Sequence, residues 1–167
     1  MDVPFNYNAA KNLELLHPRG FFLTSGRDGV YNTMTIGWGS VGVVWSQPCF
    51  TALVAHSRYT HELIAASGQF TVTVPYGDMG AALAFVGTHS GRDMDKFKAA
   101  GLDVGIGHAI AMPHVQCPGM VYECEVVFAN EVTAQGLDEA IYQKRYAASG
   151  NFHTVFFGRI AASYTID

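Results

Sequence analysis

The chain has 167 residues, 49% of them hydrophobic and only 14% charged, with a formal net charge of −4. That length suits one domain with a real apolar core, so residues 1–167 are read as a single domain. An acidic balance without a basic tract argues against nucleic acid and anionic membranes as partners, and no apolar run reaches the roughly 18 residues of a membrane span.

The elements expected along the chain are mostly strands. An apolar run at 21–24 is closed by the turn-rich Ser25, Gly26, Arg27, Asp28 and Gly29. A second run, 30–45, is punctuated by Gly37, Gly39 and Gly42, as where backbone or ligand approaches a strand closely. A third strand is expected at 50–55, and a helix at 58–67 stopped by Gly68. The stretch 69–74 alternates, with Phe70, Val72 and Val74 on one face and Thr71 and Thr73 on the other, until Pro75. Short helices follow at 80–86 and 93–100, the second opening on acidic residues and ending at Gly101. The stretch 121–129 places Glu123 and Glu125 on a wet face, and Tyr122, Cys124, Val126 and Phe128 on the core face; a last strand is expected at 154–163. At least six strands and three short helices, without βαβ alternation, define a mainly β (α+β) class. No Gly-x-Gly-x-x-Gly joins a strand to a helix, which argues against a Rossmann dinucleotide site.

The scarcity of charge leaves apolar surface for a partner to cover, most simply a second copy of the chain in a homodimer, the alternative being a compact monomer with a large core. Cys49, Cys117 and Cys124 make no disulfide framework, and residues 1–6 carry no basic, apolar leader. A cytoplasmic location is expected.

Three segments carry chemistry. Ser57, Arg58, Thr60, His61 and Glu62 stand where a strand gives way to a helix, a point that favours anions; two hydroxyls and an Arg there suit a phosphate. The bland alternative is that Ser57 or Thr60 is an N-cap and Glu62 satisfies the helix dipole. Ser90, Arg92 and Lys96, with Gly87, Thr88, His89 and Gly91, precede or open another helix, and Arg92 and Lys96 fall one turn apart. They suit a second contact to the same anion, or an ordinary charged surface beside Asp93 and Asp95. Asn32, Thr33, Met34 and Thr35, followed by Gly37 and Trp38, offer backbone hydrogen bonds and an apolar wall to a flat ring, or belong to an ordinary core strand.

Taken together, Asn32-Thr33-Met34-Thr35, the run from Ser57 to Ile64, the run from Gly87 to Phe97 and, more weakly, His153 to Gly158 resemble the flavin reductase-like family, with its FMN-binding split β-barrel of Greek-key type, and its flavoredoxin branch in particular. The resemblance implies FMN held non-covalently at the interface of a homodimer. It implies Asn32, Thr33, Met34 and Thr35 along the isoalloxazine and ribityl chain, and Ser57, Arg58 and Thr60 on the phosphate with Ser90, Arg92 and Lys96 as helpers. It also implies His153 near the flavin. One departure is Arg159 after Gly158, where the family leads one to expect an acidic residue.

The implied activity is that of an FMN-dependent oxidoreductase passing electrons from a reduced donor, NAD(P)H among the candidates, to an acceptor. An electron carrier served by a redox partner protein, and a barrel holding another ligand without redox turnover, are the alternatives. His108, His114 and Cys117 match no familiar zinc spacing, so no metal is expected.

Overall fold

The computed structural model describes residues 1–167. In chain order the elements are α1 (Ala9–Leu16), β1 (Phe21–Arg27), β2 (Val30–Ile36), β3 (Gly39–Val44), β4 (Gln47–Ala55), α2 (Tyr59–Ser67), β5 (Gln69–Pro75), α3 (Gly80–Thr88), α4 (Lys96–Ala99), β6 (Val104–Ile106), β7 (Pro113–Val115), β8 (Gly119–Glu131), α5 (Glu139–Arg145) and β9 (His153–Ile166). Seven strands form one antiparallel sheet in the order β2-β1-β5-β8-β9-β4-β3, and β6 and β7 pair separately.

The order explains the shape. Edge strands β2 and β3 are separated in the chain by Gly37 and Trp38 alone. In a flat sheet six strand spacings would set them ~29 Å apart, whereas a link of that length spans only about 10 Å. The sheet therefore curls until its edges meet, and Leu53 of β4 donates its N–H to the Trp38 carbonyl at 3.2 Å beside the seam. The expected 30–45 strand is thus two strands and a corner.

Alternation fills the barrel. Phe21, Leu23, Met34, Ile36, Phe50, Val54, Phe70, Val72, Val74, Met120, Tyr122, Cys124 and Phe156 belong to one buried cluster. Phe22 points the other way and packs with Leu83, Val86, Phe97, Leu102, Val115 and Cys117, so helices cover that outer face. Gly68 ends α2 at φ 68°, its N–H returning to the Ile64 carbonyl.

Thr71 and Thr73, on the face opposite Phe70, Val72 and Val74, are buried too, their hydroxyls donating to the Pro113 and Val115 carbonyls at 2.7 and 3.2 Å. Several expectations need correcting. Glu123 is not on a wet face: it is 0% exposed, and its carboxylate accepts the N–H groups of His108, Ala109 and Ile110 at 2.5, 2.8 and 2.9 Å. Irregularities between Glu123 and Cys124 and between Val126 and Phe128 break the alternation, and Phe128 emerges at the surface against Trp45 and Phe157. The helix expected from residue 93 begins only at Lys96, with Asp95 as its N-cap accepting the Lys98 N–H at 3.2 Å. Arg92 therefore lies in the preceding loop, not one turn from Lys96 on a shared helix face. Helices α1 and α5 and strands β6 and β7 were not anticipated.

Burial pushes the Glu123 carboxyl up, but its three backbone donors outweigh that and hold it below the usual carboxylate range. Its stabilising contribution is present above the unfolded value and lost as pH falls through the lower folded one. Glu123→Gln, which sets an amide against N–H donors, should destabilise the fold by about 3 kcal/mol in urea unfolding. An unchanged midpoint would contradict this role.

Candidate functional site

The end of β4 and the start of α2 supply the first wall. Arg58 is the N-cap residue, in extended backbone, and no side chain caps the helix. Neither Ser57 nor Thr60 therefore plays the capping role. Thr60 is buried and its hydroxyl accepts from Asn32 Nδ2 at 2.7 Å. Ser57 is tied instead to Asn151, whose Nδ2 donates to Ser57 Oγ at 2.9 Å and whose Oδ1 accepts the Ser57 N–H at 3.2 Å.

The second wall is the C-terminal end of α3, where the last carbonyls of a helix lack intrahelical partners and favour cations. Arg58 Nη1 and Nη2 donate to the Gly87 and Val86 carbonyls at 2.6 and 3.3 Å. Lys96 Nζ donates to the Val86 and His89 carbonyls at 2.9 and 3.2 Å. Lys96 is only 3% exposed, and neither cation is paired with a carboxylate. Burial, and then the neighbouring Arg58, push the Lys96 ammonium down to about 8; burial also lowers Arg58.

These groups border a cleft of about 140 Å³ lined by Asn32, Ser57, Arg58, Tyr59, Thr88, His89, Ser90, Gly91 and Lys96. Gly91 is required there, since a Cβ would stand 2.1 Å from Asn32 Oδ1. On the other side of Arg58, at the barrel seam, lies a pocket of about 180 Å³ lined by Met34, Thr35, Ile36, Gly37, Trp38, Leu53, Ala55, Arg58 and His153. A small polar cleft with two cations and a less polar pocket thus share one Arg. His153 packs against Trp38, ring centroids 4.8 Å apart and tilted by 35°, and meets Tyr146 edge-on at 5.6 Å. Burial, and then His56, push it down to about 4, so it is neutral near pH 7; its buried Nδ1 has no hydrogen-bond partner.

Of the residues picked from sequence, Asn32, Ser57, Arg58, Ser90 and Lys96 meet at the cleft and Met34, Thr35 and His153 at the pocket. Met34 is at the same time part of the barrel core, and Thr35 Oγ1 donates to the Leu83 carbonyl at 2.6 Å. Thr33 lines neither cavity; it is buried and its hydroxyl donates to the Leu23 carbonyl at 3.4 Å. Thr60 acts on the cleft only through Asn32. Arg92 stays at the rim: it donates to the Ser57 carbonyl at 3.2 Å, pairs with Glu62 and lies 5.2 Å over the Tyr59 ring. Arg159 pairs with Glu125 and lines neither cavity. Sequence reasoning missed Tyr59 and Asn151, and also Arg145, whose guanidinium lies 5.3 Å over Trp38. No group of three His, Cys, Asp or Glu side chains converges as a metal site, and no helix is long and apolar enough to cross a membrane.

The profile of the flavin reductase like domain matches residues 17–167. The chain belongs to that family. A protein of Archaeoglobus fulgidus is 32% identical over 116 residues, which make up 69% of this chain but only 64% of that relative. The flavin reductase-like chain also matches the crystal structure of a flavoredoxin from Methanosarcina acetivorans, with 27% identity and a TM-score of 0.69, over 89% of this chain and 69% of that one. It shares its fold with an FMN-binding domain of a flavin reductases-like enzyme from Shewanella baltica, at 21% identity and a TM-score of 0.67, over 99% and 76% of the two chains. The fold is the FMN-binding split barrel of flavin reductase-like proteins.

A titration follows from Lys96. Between about 8 and the ordinary lysine value of 10.5 the unfolded chain keeps a proton that the folded chain has lost, so the Lys96 contribution to stability rises with pH across that window. Denaturation of the ligand-free protein from pH 7 to 10.5 should show this component in the wild type and lose it in Lys96→Met. Parallel pH profiles would mean that Lys96 titrates normally.

Proposed function

We propose that this chain binds FMN non-covalently, as one domain, with the phosphate in the cleft between α2 and the end of α3 and the isoalloxazine in the seam pocket. The observation that carries the reading is the pair Arg58, half-buried, and Lys96, buried, two cations whose partners are carbonyls and not carboxylates. Carbonyl dipoles solvate such charges only in part, and a phosphate dianion is a counter-charge of the right size for the cleft. Asn32, Ser57 and Ser90 add polar groups around it, and Thr60 holds the Asn32 amide in place.

Bound FMN supplies the two-electron chemistry, accepting electrons from a reduced donor and passing them to an acceptor. The chain's own residues position it. Met34, Ile36 and Leu53 offer an apolar wall, and Trp38 packs against His153, which is neutral near pH 7. NAD(P)H is the donor proposed. The second reading is an electron carrier, favoured by the net charge of −4, which suits transient pairing with a basic redox partner protein. Exposed Val43, Trp45 and Phe128 support a homodimer, and three unpaired cysteines support a cytoplasmic location.

Arg58→Ala should weaken FMN binding by about tenfold to a hundredfold in a fluorescence titration, the loss expected for charge-assisted hydrogen bonds, and should leave riboflavin affinity nearly unchanged. Equal FMN affinity would remove Arg58 from the site. Anaerobic addition of NADH or NADPH to the FMN-loaded protein should bleach the flavin bands. Bands that resist both nucleotides yet bleach with dithionite would favour the carrier, and failure to take up FMN would overturn both readings.

A further inference from the structure

The chain between β8 and β9, residues 132–152, carries α5 to the barrel seam and is fixed there at its far end. Tyr146 is 3% exposed, stacks on Phe152 at 4.9 Å and meets His153 edge-on. The Phe152 carbonyl accepts the His56 N–H at 3.0 Å, and Asn151 is tied to Ser57. Arg145 is exposed, but as the last residue of α5 it precedes this anchor. Its guanidinium is thereby held 5.3 Å over the ring of Trp38, a wall of the seam pocket.

Arg145 is the one arginine of the chain without a polar partner. Arg19 and Arg58 donate to carbonyls, and Arg27, Arg92 and Arg159 pair with Asp28, Glu62 and Glu125. The carboxylates of the same segment are engaged elsewhere. Asp138 caps the start of α5, and Glu139 accepts from Gln143 Nε2 at 2.7 Å. Glu131, the last residue of β8, stands 3.9 Å from His56 Nε2. The dipole of α5 accounts for one basic residue in its last turn, which Lys144 already supplies. It does not account for a guanidinium laid over a wall of the pocket.

Unspent donors on a fixed cation recognise an anion. The planar fork of a guanidinium matches a carboxylate, and its single positive charge matches that group's single negative one, whereas a phosphate dianion would keep half its charge unmatched. In the FMN reading the body of the ligand meets a flat ring beside Trp38, which suits an aromatic one. We infer that Arg145 is a specificity-determining residue that selects a small aromatic carboxylate as the second substrate at the seam pocket. The inference rests on that FMN reading.

The test uses the full chain loaded with FMN, whose phosphate fills the cleft and keeps a probe anion from Arg58 and Lys96. The loaded protein is titrated with benzoate and with benzamide, a neutral counterpart of the same shape, and binding is read from the shift of the flavin bands. The wild type should bind benzoate about tenfold more tightly than benzamide, the scale of one charge-assisted contact. In Arg145→Met the ratio should fall to about one, and Arg145→Lys, which restores the charge without the fork, should recover part of it. No binding of benzoate, benzoate bound no better than benzamide by the wild type, or a preference that survives in Arg145→Met overturns the inference and leaves the FMN reading standing. A wild type that takes up no FMN overturns that reading and the inference with it.

Discussion

Two residues join the two edges of a seven-stranded sheet, and that short link dictates where everything else can go. Because Gly37 and Trp38 cannot span an open sheet, β2 and β3 are drawn together. Closure then sets Met34 and Thr35 from β2, Leu53 and Ala55 from β4 and His153 from β9 around one pocket, although they are spread over more than a hundred residues of sequence. The corner is also where β4 releases the chain into α2, so Arg58 is delivered to the same spot.

The electrostatics of the site depend on that delivery. Helix α3 ends against Arg58 and Lys96, and its last carbonyls accept from both. One cation at a helix C-terminus is an ordinary stabilising arrangement. Two of them, one almost fully buried and pushed down to about 8 by burial and then by the other, exceed what a helix end requires. That surplus of positive charge beside a polar cleft is what a phosphate monoester would relieve. Glu123 illustrates the opposite, satisfied case. Its buried carboxylate is fully met by three backbone donors and has no need of a ligand.

Much of this was legible in the sequence, and the reasons for the remainder are physical. Alternation in 69–74 and 121–129 located β5 and β8, because a period of two leaves a clear trace. The same rule misplaced Glu123, because it assumes one wet face; here the segment carrying His108 to Val115 covers the outside of the barrel, over Glu123 and Thr71, and nothing local announces that cover. Thr33 was grouped with its neighbours as a run, but it is buried against the Leu23 carbonyl and reaches neither cavity. The grouping of Ser57, Arg58, Ser90 and Lys96 came from the composition of two segments and a family resemblance. Asn151, 94 positions from the Ser57 it holds, had no sequence signal at all. Arg92 reached the rim and not the cleft, because the helix expected from residue 93 begins only at Lys96 and leaves Arg92 in the loop before it.

The central claim is that a phosphate is what Arg58 and Lys96 are set to receive. The most direct measurement compares the affinities of FMN and riboflavin, which differ only by that phosphate, from pH 6.5 to 9.5. The account predicts that FMN binds about a hundredfold more tightly near neutrality, the scale of two charge-assisted contacts, and that its advantage shrinks as pH rises past about 8 and Lys96 loses its charge. Equal affinities, or an FMN advantage that ignores pH throughout the range, would contradict it.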